Sequence, residues 1–145
     1  MWRTWIARSP LPPAVLTLDT NVVVRLLIGD DPQQTPVAER AFLDAIAGGG
    51  VYLPDVVLAE VAWVLRGYEL DRATRHQLLE RLVRTRGVVV DDIDAVIDAL
   101  DQFRQGGDLA DQLILARATS AGALPVLTFD RRFSASEGVA LLRPG

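Results

Sequence analysis

The chain contains no cysteine and no lysine, and its single histidine is His76. Without cysteine there can be no disulfide, no thiol nucleophile and no thiolate-bound metal. One histidine leaves no room for a multi-histidine zinc centre and argues against histidine-based acid–base catalysis. Every one of the 15 basic residues is arginine. A P-loop sets a lysine on its phosphates, so this chain argues against that class of nucleotide site and against other phosphate sites built around a lysine. No apolar run approaches the roughly 18 residues of a membrane-spanning helix. Residues 1–10 lack the long apolar centre and small-residue cleavage site of a signal peptide. The expectation is a cytoplasmic protein with no membrane association.

Of the 145 residues, 50% are hydrophobic, enough for one domain with a core. The net charge is −4, whereas domains that only bind nucleic acid are usually basic. An acidic chain can still cleave nucleic acid if a metal neutralises its site and local arginines hold the backbone.

Four carboxylates stand at the edges of apolar segments. Asp19 ends Ala14-Val15-Leu16-Thr17-Leu18, and Glu60 is the only charge between Val56 and Leu65. Asp111 opens Gln112-Leu113-Ile114-Leu115-Ala116, and Asp130 ends Val126-Leu127-Thr128-Phe129. A buried lone carboxylate is costly or becomes neutral. Four of them at core edges make sense if they converge on one cation, and an all-oxygen ligand set points to a hard divalent metal.

Residues 1–14 read as an N-terminal arm, and residues 15–145 as one α/β domain. Val15–Leu18 is predicted as a buried strand, followed by a short helix through Ile28 capped by Thr20 or Asn21. Val37, Ala41, Phe42, Ala45 and Ile46 have helical spacing, stopped by Gly48-Gly49-Gly50. A brief strand at Val51–Leu53 precedes a helix from Pro54 or Asp55 to about Arg66. Asp71 caps a helix with the stripe Leu78, Leu79, Leu82 and Val83. A strand at Val88–Val90 leads to a helix with the stripe Ile93, Val96, Ile97, Leu100 and Phe103. Another helix spans Leu109–Ser120. Strands follow at Val126–Thr128 and Val139–Leu142. Strands alternating with helices predict a parallel sheet. Asp19 and Asp130 then lie just past strand carboxyl ends, the edge where open α/β sheets bind ligands.

Four segments in this order carry a resemblance: Leu18-Asp19-Thr20-Asn21-Val22, Leu58-Ala59-Glu60-Val61-Ala62-Trp63-Val64-Leu65, Gly107-Asp108-Leu109-Ala110-Asp111-Gln112-Leu113-Ile114 and Leu127-Thr128-Phe129-Asp130-Arg131-Arg132-Phe133. Together they resemble PIN-domain ribonucleases, and within these the VapC toxins of bacterial toxin–antitoxin pairs. The resemblance implies a three-layer fold with a central parallel sheet flanked by helices, Mg²⁺ or Mn²⁺, endoribonuclease activity on RNA, a homodimer and a cognate VapB-type antitoxin. It implies that Asp19, Glu60, Asp111 and Asp130 are the catalytic acids and metal ligands. Asp108 matches a further acid of many members, and Asn21 and Thr128 match polar supports. Gln112 stands where the family often has alanine, a change in the pocket wall that removes no ligand.

Asp108 has two readings, because it is also the natural N-cap of its helix. Asp111 would then sit in the first turn, where the helix dipole alone favours a carboxylate. Arg131 and Arg132 adjoin the acids and are candidate contacts for RNA phosphate. Arg72, Arg75, Arg81, Arg84 and Arg86 could hold RNA backbone, although such a set is more often a solvated helix face. His76 is expected at the surface and Trp63 in packing. Two other functions compete: a phosphatase or phosphotransferase with Asp19 as nucleophile, and a non-catalytic PIN-like binding module. Asn21 occupies the position where a haloacid-dehalogenase-type phosphatase needs a second aspartate, which disfavours the first. Retention of all four acids disfavours the second.

Overall fold

The structure, a computed structural model, describes residues 14–145. The arm therefore lies outside the described residues, apart from Ala14. The elements run β1 (Leu16–Thr17), α1 (Thr20–Ile28), α2 (Gln34–Gly48), β2 (Val51–Tyr52), α3 (Asp55–Leu65), α4 (Arg72–Arg84), β3 (Val88–Val89), α5 (Ile93–Arg104), α6 (Leu109–Ser120), β4 (Val126–Thr128) and β5 (Val139–Leu141). All strand pairs are parallel. β2 lies between β1 and β3, with Leu16 opposite Val51 and Val51 opposite Val88. β4 pairs with β5, Leu127 opposite Ala140. The parallel strands are flanked by six helices, the three-layer α/β arrangement.

Local chemistry sets the helix starts. Asp71 accepts from the Thr74 amide at 2.7 Å and Asp92 from the Ala95 amide at 3.2 Å, each satisfying an N–H that the helix cannot. Hydrogen bonds from Thr74 hold the Asp71 carboxyl below its ordinary pKa. Asp31 accepts from the amides of Gln33 and Gln34, which turns the chain into α2. The cap of α1 is Asp19, which replaces the expected Thr20 or Asn21. Gly50 has φ +134, and a Cβ there would lie 2.7 Å from the Gly87 carbonyl. Only glycine lets β2 and β3 begin this close together.

The core is built where the helices face the short strands. Val23, Val24, Val51, Leu53, Leu58, Val61, Leu65, Leu79, Val96 and Leu100 are fully enclosed. Several sequence expectations are corrected. The first strand is shorter than Val15–Leu18, and Leu16 is 48% exposed, because among the described residues β1 has a neighbouring strand on one side only. In α2 the buried face is Thr35, Ala38 and Ala45 with Phe42 and Ile46 beside it, so Val37 and Ala41 point outward. Trp63 is 69% exposed rather than packed. Its neighbours Val61, Ala62 and Leu65 already fill the inward face of α3. His76 is 5% exposed, because its position on α4 turns it toward α5.

Leu79→Ala empties a fully enclosed position on α4. It is expected to destabilise the fold by about 2–5 kcal/mol. Urea unfolding should show a lower midpoint with an unchanged slope.

Candidate active site

Each acid is held by the element that carries it. β1 ends at Thr17, Leu18 plugs the core, and Asp19 emerges at the start of α1. One Asp19 carboxylate oxygen accepts from the Val22 amide at 3.3 Å. The adjacent Thr20 hydroxyl donates to Glu60 at 3.2 Å, which ties the start of α1 to the middle of α3. Asp108 caps α6, accepting from the Asp111 amide at 3.1 Å. Asp111 is thereby placed in the first turn of that helix. Asp130 follows β4. Its carboxylate accepts from the amides of Arg132 at 2.8 Å and Phe133 at 3.2 Å, and its own amide donates to the Thr128 hydroxyl at 3.0 Å. Asn21 is exposed on the first turn of α1.

Two groupings result. Asp19, Thr20 and Glu60 form one, and Asp108, Asp111 and Asp130 the other. In the second, burial raises the Asp111 pKa above its ordinary value, and the charges of Asp108 and Asp130 raise it further. The expectation that four acids are costly buried charges is corrected. Asp19, Glu60 and Asp130 are exposed and only Asp111 is half-buried. Strands of two or three residues reach solvent almost at once, so their ends cannot enclose a side chain. No three of these acids bring carboxylate oxygens within 4.8 Å of one another among the described residues.

Asp108, Asp111 and Asp130 line a cleft of about 610 Å³ together with Arg66, Arg72, Arg75 and Arg132. Gln112 is also on its wall, as the sequence reading allowed. Arg72 has a structural task. It donates to the carbonyls of Phe103 and Gly107, both at 2.8 Å, and lies 5.0 Å from the centre of the Phe103 ring. Those bonds fix the turn between α5 and α6, and hence the position of Asp108. Burial lowers the Arg72 pKa, as do the charges of Arg75, Arg132 and Arg66, while Asp108 opposes them. The four guanidiniums therefore share one electrostatic neighbourhood. Gly106, with φ +113, leaves room for the Arg132 guanidinium, with which a Cβ would collide.

The arginine wall was only half visible in sequence. Arg72 and Arg75 belong to the suspected helix face, but Arg81, Arg84 and Arg86 of that face are exposed and do not line the cleft. Arg66 carries no signal in the sequence, being a lone charge at the end of an apolar helix. Arg131 is exposed beside the cleft and Arg132 is on its wall. Outside the cleft lining, Arg117 makes a two-point pair with Asp55, with its Nη2 at 2.9 Å from the carboxylate. That pair holds α6 against the start of α3, the two helices that carry Asp111 and Glu60.

A parallel α/β domain with acids gathered past strand ends and at helix starts defines a class of hydrolytic metal sites. The chain matches the PIN domain over residues 16–138. It belongs to that family, whose members are generally metal-dependent nucleases. Comparison with curated proteins finds no match, and neither does comparison with solved structures. The donor set fits the metal that the family implies. Every side chain that Asp108, Asp111 and Asp130 offer is a carboxylate, and a hard cation relieves the repulsion that, after burial, raises the Asp111 pKa. Mg²⁺ keeps several waters and needs only one or two carboxylates, so a closed cage is not required.

The Asp111 shift has a consequence for stability. A raised carboxyl pKa means that the ionised form works against folding. That penalty is complete when the pH is above the raised pKa, shrinks as the pH falls through it, and is gone below the ordinary value of 3.8. Asp111→Asn is expected to melt higher than the wild type at pH 7 without added metal, and the gain should shrink on acidification. A lower melting temperature at pH 7 would mean that the favourable helix-start dipole outweighs the repulsion.

Proposed function

We propose that this PIN domain is a Mg²⁺- or Mn²⁺-dependent endoribonuclease that acts as the toxin of a VapBC-type toxin–antitoxin pair. The observation that carries the nuclease part is the mixed lining of one cleft. Asp108, Asp111 and Asp130 stand in it with Arg66, Arg72, Arg75 and Arg132. A phosphodiester needs both groups: acids for a cation and arginines for the backbone charge. Asp19, Asp111 and Asp130 are assigned to the cation, with Glu60 completing the acidic set. Asp108 serves first as the helix cap and only secondarily as a ligand. Arg132 and Arg131 hold the phosphate, while Asn21 and Thr128 support the neighbouring backbone. When bound, the cation supplies a water of lowered pKa and a positive charge beside the reacting phosphate. A carboxylate among the cleft acids would accept the proton of the attacking water, whose oxygen bonds to phosphorus as the opposite ester P–O bond breaks in line, the leaving oxygen taking a proton from solvent. No side-chain nucleophile is needed, which suits a chain with no cysteine.

The toxin assignment also rests on surface. Val56 and Trp63 are both exposed and lie two turns apart on one face of α3. Phe129, beside Asp130, is 70% exposed. Interfaces are marked by contiguous exposed apolar patches rather than by scattered residues, and Val56 with Trp63 on one helix face is the start of such a patch. We assign these surfaces to a second copy of the chain and to an antitoxin, whose arginine would pair with the acids and displace the cation. No helix among the described residues is long and apolar enough to cross a membrane. Cytoplasmic action is part of the proposal.

RNA cleavage is expected with Mg²⁺ or Mn²⁺, to be abolished by EDTA, and to need no zinc. Asp19→Asn and Asp111→Asn should each lower the rate at least about 100-fold, the scale of losing one charge-stabilising group. Asp108→Asn should cost less, since asparagine also caps helices well. Gel assays on a mixed RNA pool read all three. Full activity in chelator would exclude the mechanism, and equal large losses at 108 and 111 would make Asp108 a full ligand.

A further inference from the structure

The histidine that sequence reading placed at the surface is enclosed between α4 and α5. His76 is 5% exposed, and its Nε2 is buried without a hydrogen-bond partner. A buried polar atom left unpaired costs free energy, so such an atom calls for an explanation. Nε2 lies 3.9 Å from a carboxylate oxygen of Asp101 on α5, too far for a hydrogen bond. Glu80 is one turn on from His76 along α4, on the same face. One ligand atom from each of His76, Glu80 and Asp101 lies within 4.8 Å of the other two. Among the described residues this is the one group of three that meets that condition.

We propose that His76, Glu80 and Asp101 form a second cation site, suited to Zn²⁺ or a similar transition metal and distinct from the acidic cleft. The donor set decides the metal class. An imidazole nitrogen with two carboxylates suits zinc and its neighbours, whereas Mg²⁺ prefers oxygen alone. Three protein ligands leave one position for water, as in open zinc sites. Metal–ligand bonds of about 2.0–2.2 Å place tetrahedral ligands roughly 3.4 Å apart. The three donors are therefore somewhat too spread and must close by about an ångström or less on average. The side chains are free to do so, because Asp101 is 54% exposed and Glu80 31%. Arg84 lies 3.6 Å from Glu80, but it is an exposed i,i+4 pair, a contact worth too little to hold Glu80 away.

The place of the site in the fold gives it a role. It would clip α4 to α5 next to Arg75, whose guanidinium lies 5.7 Å from the centre of the Phe103 ring, and one turn from Arg72. These arginines form part of the cleft wall. A metal at this clip would brace that wall from behind without touching the reacting phosphate.

Co²⁺ and Zn²⁺ titrations of the full chain test the proposal, carried out in an Asp111→Asn/Asp130→Asn background that removes two of the three carboxylates lining the acidic cleft. The expected result is one Co²⁺ per chain, with visible absorption bands of a low-coordinate ion. Saturating Zn²⁺ should raise the melting temperature by roughly 4 °C or more. Asp101→Asn or Glu80→Gln, both at solvent-accessible positions, should weaken binding at least about tenfold, the lower end of what supporting groups contribute. His76→Gln is the direct variant but alters a buried position, so the two carboxylate variants carry the decision. Failure of the background variant to take up stoichiometric Co²⁺ would overturn the proposal, whether or not the wild type binds it. Uptake unchanged in both carboxylate variants would overturn it equally.

Discussion

Like charges must be brought together at this cleft, and helix N-termini make that possible. At the cleft Asp108 caps α6 and Asp111 occupies its first turn, while Asp19, in the other grouping, caps α1 in the same way. Each carboxylate thus stands at the positive end of a helix dipole, beside amides that need acceptors. Asp130 achieves the same through the two amides of its own turn. The acids are thereby held without lysine, histidine or disulfide support. Burial first, and then the charges of Asp108 and Asp130, still keep the Asp111 pKa raised.

The basic part of the cleft lining depends on arginines that do more than carry charge. Arg72 spends its donors on the carbonyls of the α5–α6 turn, so the same side chain that lines the cleft also sets the start of α6. A lysine there could not bridge two carbonyls from one planar fork while stacking on Phe103. The Arg117–Asp55 pair performs a related task farther along α6. Packing, charge and site geometry are thus one system: α4 fixes the turn, the turn fixes Asp108, and Asp108 fixes the first turn carrying Asp111.

Much of this was legible in the sequence. Long periodic helices were placed to within a residue or two, and α6 was read as Leu109–Ser120, as observed. The strand-end positions of Asp19 and Asp130 also followed from the alternation of elements. What could not be read was the facing of residues. Val37 and Ala38 are both small and apolar, and only the contact with neighbouring elements selects Ala38 for the core. His76 sits among Arg75, Gln77 and Arg81 and looks solvated in one dimension, yet the helix turns it onto α5. Arg66 carries no local signal at all, and its place on the cleft comes from tertiary folding. The strands are two or three residues long, which made the acids look more buried in sequence than they are.

The central claim is that the acids past β1 and β4 and at the start of α6 hold a divalent cation. Anomalous diffraction from crystals soaked in Mn²⁺ tests it most directly. The account predicts a strong peak bonded to Asp111 and to at least one of Asp19 and Asp130. A fully active enzyme whose only Mn²⁺ peaks lie away from Asp111 would contradict it.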